Sequence, residues 1–157
     1  MPGIGERKPE GVSMTIRKHL NSLVLIFSLV ACNGDDDSNR SLYEMLNMVD
    51  IGIDLNSPEY QVLRQNNAFV YLEGGRRGII VLNKGANQYK AFERNCPFQP
   101  NNDCATVSMH PSVTFMVDSC CSSQFDLNGQ VQSPPSTLPM VEYTTFLLGS
   151  ELRIQFP

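Results

Sequence analysis

From Met48 onward the chain alternates short apolar or period-two runs with turn residues, roughly every 8 to 12 positions, and this spacing leaves little room for long helices. Met48 to Leu55 alternates apolar and acidic residues, as does a strand with one buried face. Ala68 to Leu72, the β-branched run Ile79 to Asn83, Tyr89 to Glu93 and Val113 to Val117 are further strands. The turn Glu73-Gly74-Gly75-Arg76-Arg77-Gly78 and the turn at Lys84 to Gln88 separate three of them into a meander. Val141 to Leu147 and Glu151 to Phe156, joined by Gly149-Ser150, form a terminal hairpin. Ser57 followed by Pro58 is a helix-start signal, which predicts one short helix ending near Arg64 or Gln65. The proline-rich segment Ser133 to Pro139 lacks the donors of a ladder and is expected to be a covering loop. The expected fold class is all-β, a small sandwich or barrel with one short helix, over residues 48–157.

Ahead of that domain, Arg17 and Lys18 precede an apolar run from Leu23 to Ala31. This is the pattern of a secretory signal peptide over residues 1–31, with Met14 as the expected biological start and residues 1–13 as an upstream extension. A membrane-spanning helix needs about 20 apolar residues, about twice this run. Leu29-Val30-Ala31-Cys32 resembles the bacterial lipobox, which implies lipidation of Cys32 and a membrane partner through the lipid. Residues 32–47 then form an acidic tether. Its Asn33-Gly34-Asp35-Asp36-Asp37 stretch resembles the export signal of Bacteroidetes surface lipoproteins, and the resemblance implies an exported protein anchored in the outer membrane and displayed on its outer face.

After Cys32 the chain has eight lysines and arginines against fourteen aspartates and glutamates, a balance of −6. Nucleic acid is excluded as a partner, because phosphate contacts demand a clustered basic surface. Arg76-Arg77, the one basic pair of the domain, reads as a solubilising turn. No phosphate loop follows the glycines and no Gly-x-Ser-x-Gly elbow surrounds Ser122-Ser123, so no enzyme is expected. His110, beside Pro111, is expected in an exposed loop, and Asp126 in a turn where it accepts backbone hydrogen bonds.

Four cysteines remain in the domain: Cys96, Cys104, Cys120 and Cys121. An even number in an exported domain implies two disulfides, and three connectivities are open. The same four as thiolate ligands for zinc or an all-cysteine 2Fe-2S cluster are the alternative, although adjacent Cys120 and Cys121 are awkward ligands for one tetrahedral ion. A redox-active thiol pair is disfavoured, since neither Lys nor His flanks the cysteines.

From Val70 to Phe156 the chain resembles the Rieske family. The resemblance rests on Cys96-Pro97-Phe98, on Cys121-Ser122-Ser123-Gln124-Phe125-Asp126 with the turn at Leu127-Asn128-Gly129, and on Ser133-Pro134-Pro135. Rieske loops read Cys-Pro-His and Cys-Pro-x-His-Gly-Ser-x-Phe-Asp. It implies a β-domain with a smaller two-loop subdomain, and it places the four cluster-ligand positions at Cys96, Phe98, Asp118 and Cys121. Only the first keeps its ligand type, and His110 stands at none of them. A 2Fe-2S cluster of the usual two-His, two-Cys kind therefore has no ligand set here.

Respiratory Rieske proteins also join their loops by a disulfide. Carried over, this pairs Cys104 with Cys120 and leaves Cys96 to pair with Cys121. Successive residues of an extended segment face opposite ways, which suits two different partners for Cys120 and Cys121. The expectation is thus a monomeric envelope lipoprotein whose Rieske-like domain holds no metal or other cofactor and acts as a binding or structural module, its partner unnamed by the sequence. The alternative is a 2Fe-2S electron-transfer protein with non-standard ligands.

Overall fold

A computed structural model describes residues 49–156; the expected signal peptide, lipidated Cys32 and tether lie outside the described residues. The architecture is all-β. A larger sheet has the order β1-β10-β9-β4-β3-β2, and a smaller one the order β5-β6-β7-β8. The larger comprises β1 (Asp50–Asp54), β2 (Phe69–Leu72), β3 (Ile79–Gly85), β4 (Gln88–Glu93), β9 (Glu142–Leu148) and β10 (Glu151–Gln155). The smaller comprises β5 (Val107–Met109), β6 (Met116–Asp118), β7 (Gln124–Phe125) and β8 (Val131–Ser133). All pairings are antiparallel.

Strand β3 explains why one sheet serves two cores. Its residues Ile79, Ile80, Val81 and Leu82 are all buried, so both faces of the strand are covered. With period two, Ile79 and Val81 enter one apolar cluster with Leu63, Ala91, Tyr143, Leu152 and Ile154. The larger sheet curls around this cluster as a half-barrel. Ile80 and Leu82 face the opposite way, into a second cluster with Phe92, Cys96, Val107, Met116, Phe125 and Met140. That second cluster seats the small sheet and its two loops on the larger one.

Where a helix was expected there is a four-residue 3-10 turn, Gln61–Arg64. The Ser57 hydroxyl is buried and caps nothing, although its carbonyl accepts from the Tyr60 and Gln61 amides. Leu63 anchors the turn in the first core, and its carbonyl accepts from Asn83 Nδ2 at 2.7 Å, so the chain is drawn to β3 after a single turn.

Gly129, at the turn between β7 and β8, has φ +76°, and a Cβ there would lie 2.6 Å from the buried Phe92 ring. Gly129→Ala is expected to cost about 2–3 kcal/mol, from the left-handed backbone and from overpacking. Urea denaturation measures this; an unchanged midpoint would refute the close approach.

Candidate metal centre

Two loops at the end of the small sheet carry the site. The first leaves β4 and is closed by Cys96 N donating to the Ala105 carbonyl at 3.1 Å and by an isolated bridge between Asn95 and Thr106. The second links β6 to β7. There Asp118 N donates to the Ser123 carbonyl at 3.0 Å and Ser122 N to the Asp118 carbonyl at 2.8 Å, with Ser122 at φ +67°. This tight return folds Cys121 back over Asp118. A third segment covers them: Ser136 N donates to Ser123 Oγ at 2.9 Å and Met140 N to the Gly129 carbonyl, so the proline-rich stretch is an ordered cover.

Cys104 and Cys120 form a disulfide between the first two loops, with Cα atoms 5.5 Å apart. Cys96 and Cys121 are unbonded, with sulfurs 3.9 Å apart. Both are thiols, and Cys121 Sγ lies 3.3 Å from Asp118 Oδ2 and 3.0 Å from Ser123 Oγ. The four cysteines therefore do not assemble as one ligand set. Phe98, which the Rieske resemblance places at a ligand position, offers no ligand atom and packs against the second core.

The expected absence of a metal or other cofactor is overturned at this point. The ligand atoms of Cys96, Asp118 and Cys121 lie within 4.8 Å of one another, a compact triad able to hold a metal ion. Read as lost ligands, Asp118 and Cys121 looked inert in the sequence, yet carboxylate and thiolate are themselves metal donors. The spacing can be tested against coordination geometry. A tetrahedral ion with metal–sulfur bonds of about 2.3 Å and metal–oxygen bonds of about 2.0 Å sets its ligands about 3.8 Å apart for two sulfurs and about 3.5 Å for sulfur and oxygen. The corresponding separations here are 3.9 and 3.3 Å. Two of the three ligand separations therefore match those around a tetrahedral ion, and the third lies within 4.8 Å.

Electrostatics favour a cation in the same place. Asp118 is fully buried, its carboxylate accepts from Cys120 N at 2.7 Å and from the Cys121 thiol, and no ion pair among the described residues involves it. A buried carboxylate without a counter-charge is costly, and a bound cation removes that cost. Burial pushes the Cys96 thiol up, and the hydrogen bond and charge of Asp118 add to the rise, while the Phe98 amide opposes it. Were a metal to bind there, Cys96 would ligate it as thiolate and release its proton.

Arg77, expected only to solubilise a turn, ties down the first loop. Its Nε donates to Asn95 Oδ1 at 2.9 Å, Nη1 to the Asp103 carbonyl at 2.7 Å and Nη2 to the Asn102 carbonyl at 2.6 Å, and Arg76 Nη2 reaches Asn101 Oδ1 at 2.9 Å. The glycine turn is held in its own right by Glu93, buried at the end of β4. Nothing in the sequence announced these partners beyond Glu93 standing three residues before Cys96. His110 is remote in role: it stacks on Phe115 and bonds Ser112 Oγ at 2.8 Å. Asp126 Oδ1 accepts from the Asn128 and Gln130 amides, as a turn residue.

No family model matches the sequence and no curated protein does. Among solved structures, the cyanobacterial plasma membrane Rieske protein from Synechocystis PCC 6803 is similar with a TM-score of 0.50 at 18% identity, over 68% of this chain and 98% of that one. A ferredoxin of carbazole 1,9a-dioxygenase from Nocardioides aromaticivorans IC177 has a TM-score of 0.46 at 13% identity, over 68% and 98%. A hyperthermophilic respiratory Complex III chain has 0.47 at 14%, over 88% and 96%. The first likeness defines the class: the domain has a Rieske-like fold. Its possible metal ligands are non-standard for that fold, a Cys-Asp-Cys triad.

Proposed function

We propose that this is a metal-binding protein of the cell envelope, anchored through lipid on Cys32, whose Rieske-like domain holds one thiophilic metal ion between Cys96, Asp118 and Cys121. The single observation that carries the reading is the buried Asp118 carboxylate with no cationic partner among the described residues, set beside two free thiols with all three ligand atoms within 4.8 Å of one another. Three protein ligands leave a fourth position for water or another small ligand, since Phe98 supplies none. Support for the anchor comes from the basic, apolar and lipobox segments before residue 33.

A second reading, electron transfer by an iron-sulfur centre with non-standard ligands, is favoured by where the triad sits. Cys96, Asp118 and Cys121 occupy cluster-ligand positions implied by the Rieske resemblance. Metal analysis with visible absorbance separates the two. Purified anaerobically under mild reductant, the full-length protein is expected to hold one equivalent of zinc or iron without inorganic sulfide, and to lose it in Cys96→Ser and Cys121→Ser. Stoichiometric iron with sulfide and a brown colour would establish the second reading, and a reduced protein that takes up no metal would sink both.

A further inference from the structure

We infer that the Cys96 and Cys121 thiols are a redox gate on this site, binding the ion when reduced and expelling it when a disulfide oxidant joins them. The inference rests on the metal-binding reading above and adds the regulation of that site. Its ground is that two of the three ligand atoms are also each other's nearest redox partner. The sulfurs are 3.9 Å apart, and a disulfide needs about 2 Å. One side of the gap is fixed: Cys96 is buried, in the second core, and its amide is held by the Ala105 carbonyl. The other side is less enclosed, because Cys121 is half-buried on the short β6–β7 return. Cys104 and Cys120 already clamp the two loops together, so the remaining pair stays adjacent whether or not an ion is present.

The two states exclude each other. A disulfide has no thiolate to donate, and Asp118 alone is a poor ligand set for a thiophilic ion. The exchange needs a sulfur in its thiolate form, and metal binding would supply one, since cysteine ligates a metal as thiolate. An external disulfide, small-molecule or protein, is the oxidant. Cys121 sulfur attacks one of its sulfurs, and one external thiolate leaves. Cys96 sulfur then attacks Cys121 sulfur, forming the internal bond and releasing the second thiolate. Two electrons pass from the cysteine pair to the oxidant, and the divalent ion departs unchanged in charge.

The test uses full-length protein reduced mildly, loaded with one equivalent of zinc, freed of excess and titrated with oxidised glutathione. One zinc is expected to be released for each Cys96–Cys121 bond formed, read by a chromogenic chelator and by non-reducing peptide mapping, and renewed reduction restores binding. Asp118→Asn is expected to weaken zinc binding by about tenfold or more yet still form the bond. Zinc retained with both thiols still open to alkylation would overturn the gate and leave the metal reading standing, as would release that ends in a glutathione adduct at Cys121. Reduced protein that binds no zinc overturns the metal reading and the gate with it.

Discussion

Glu93→Ala is expected to leave the domain barely folded, losing about 4–5 kcal/mol of the about 5–15 kcal/mol typical of a small domain. The carboxylate is buried and takes four donors. Oε2 accepts from Arg76 N at 2.9 Å and from Tyr143 Oη at 2.8 Å, while Oε1 accepts from Arg77 N at 3.0 Å and Asn95 N at 2.8 Å. Removing it strands these donors, at about 1–3 kcal/mol for each one left fully unsatisfied. Gly75→Ala should resemble it, since at φ +60° its Cβ would overlap the Glu93 carboxylate.

Tyr143→Phe removes one donor only and is expected to cost about 1 kcal/mol at neutral pH. Burial, then the charge and hydrogen bond of Glu93, push the Tyr143 phenol up. A raised phenol favours its neutral form in the folded state, so this stability is complete below about pH 10, where the unfolded phenol titrates, and is lost as pH rises above it. Tyr143→Phe should therefore be less sensitive to alkali than the parent. Urea denaturation at pH 7 and pH 11 checks the set; Glu93→Ala with the parental midpoint would refute the role of the carboxylate.

How far the chain could be read follows from which contacts are local. Ile79 to Leu82 reads as a central strand because four consecutive apolar residues, three of them β-branched, carry that preference in the local sequence, and the alternation at Tyr89 to Glu93 is local in the same way. The loops were marked by their cysteines and by Phe125-Asp126. Arg77 and Glu93 were not legible, since most of their partners come from chain 16 to 50 residues away. Asp118 shows the limit most directly. Compared with a ligand pattern it is a vacancy, whereas in the fold the return at Ser122 sets Cys121 against it, and the buried carboxylate becomes one arm of a Cys-Asp-Cys triad. Ser57-Pro58 failed for the opposite reason. A strong local helix signal was overridden by Asn83 capturing the Leu63 carbonyl.

Cutting the Cys104–Cys120 bridge as a double Ala variant is expected to cost about 3 kcal/mol, the chain-entropy value for a loop of about 15 residues, here separated by 16. The larger consequence falls on the metal. Cys96 arrives on the first loop, Asp118 and Cys121 on the second, and Cys120 lies between the latter two, so the bridge fastens the loops beside the ligand atoms. On the metal-binding reading proposed above, without the bridge an ion would have to order both loops as it binds, and zinc affinity is expected to fall by about tenfold or more. Zinc should in turn raise the midpoint of the variant, since an ion that binds only the folded state stabilises it in proportion to the logarithm of its excess over Kd. Denaturation midpoints of parent and variant, each with and without zinc under conditions that keep Cys96 and Cys121 reduced, measure both quantities. Unchanged zinc affinity in the variant would mean that Arg77, through Asn95 and the Asn102 and Asp103 carbonyls, is enough to hold the first loop in place.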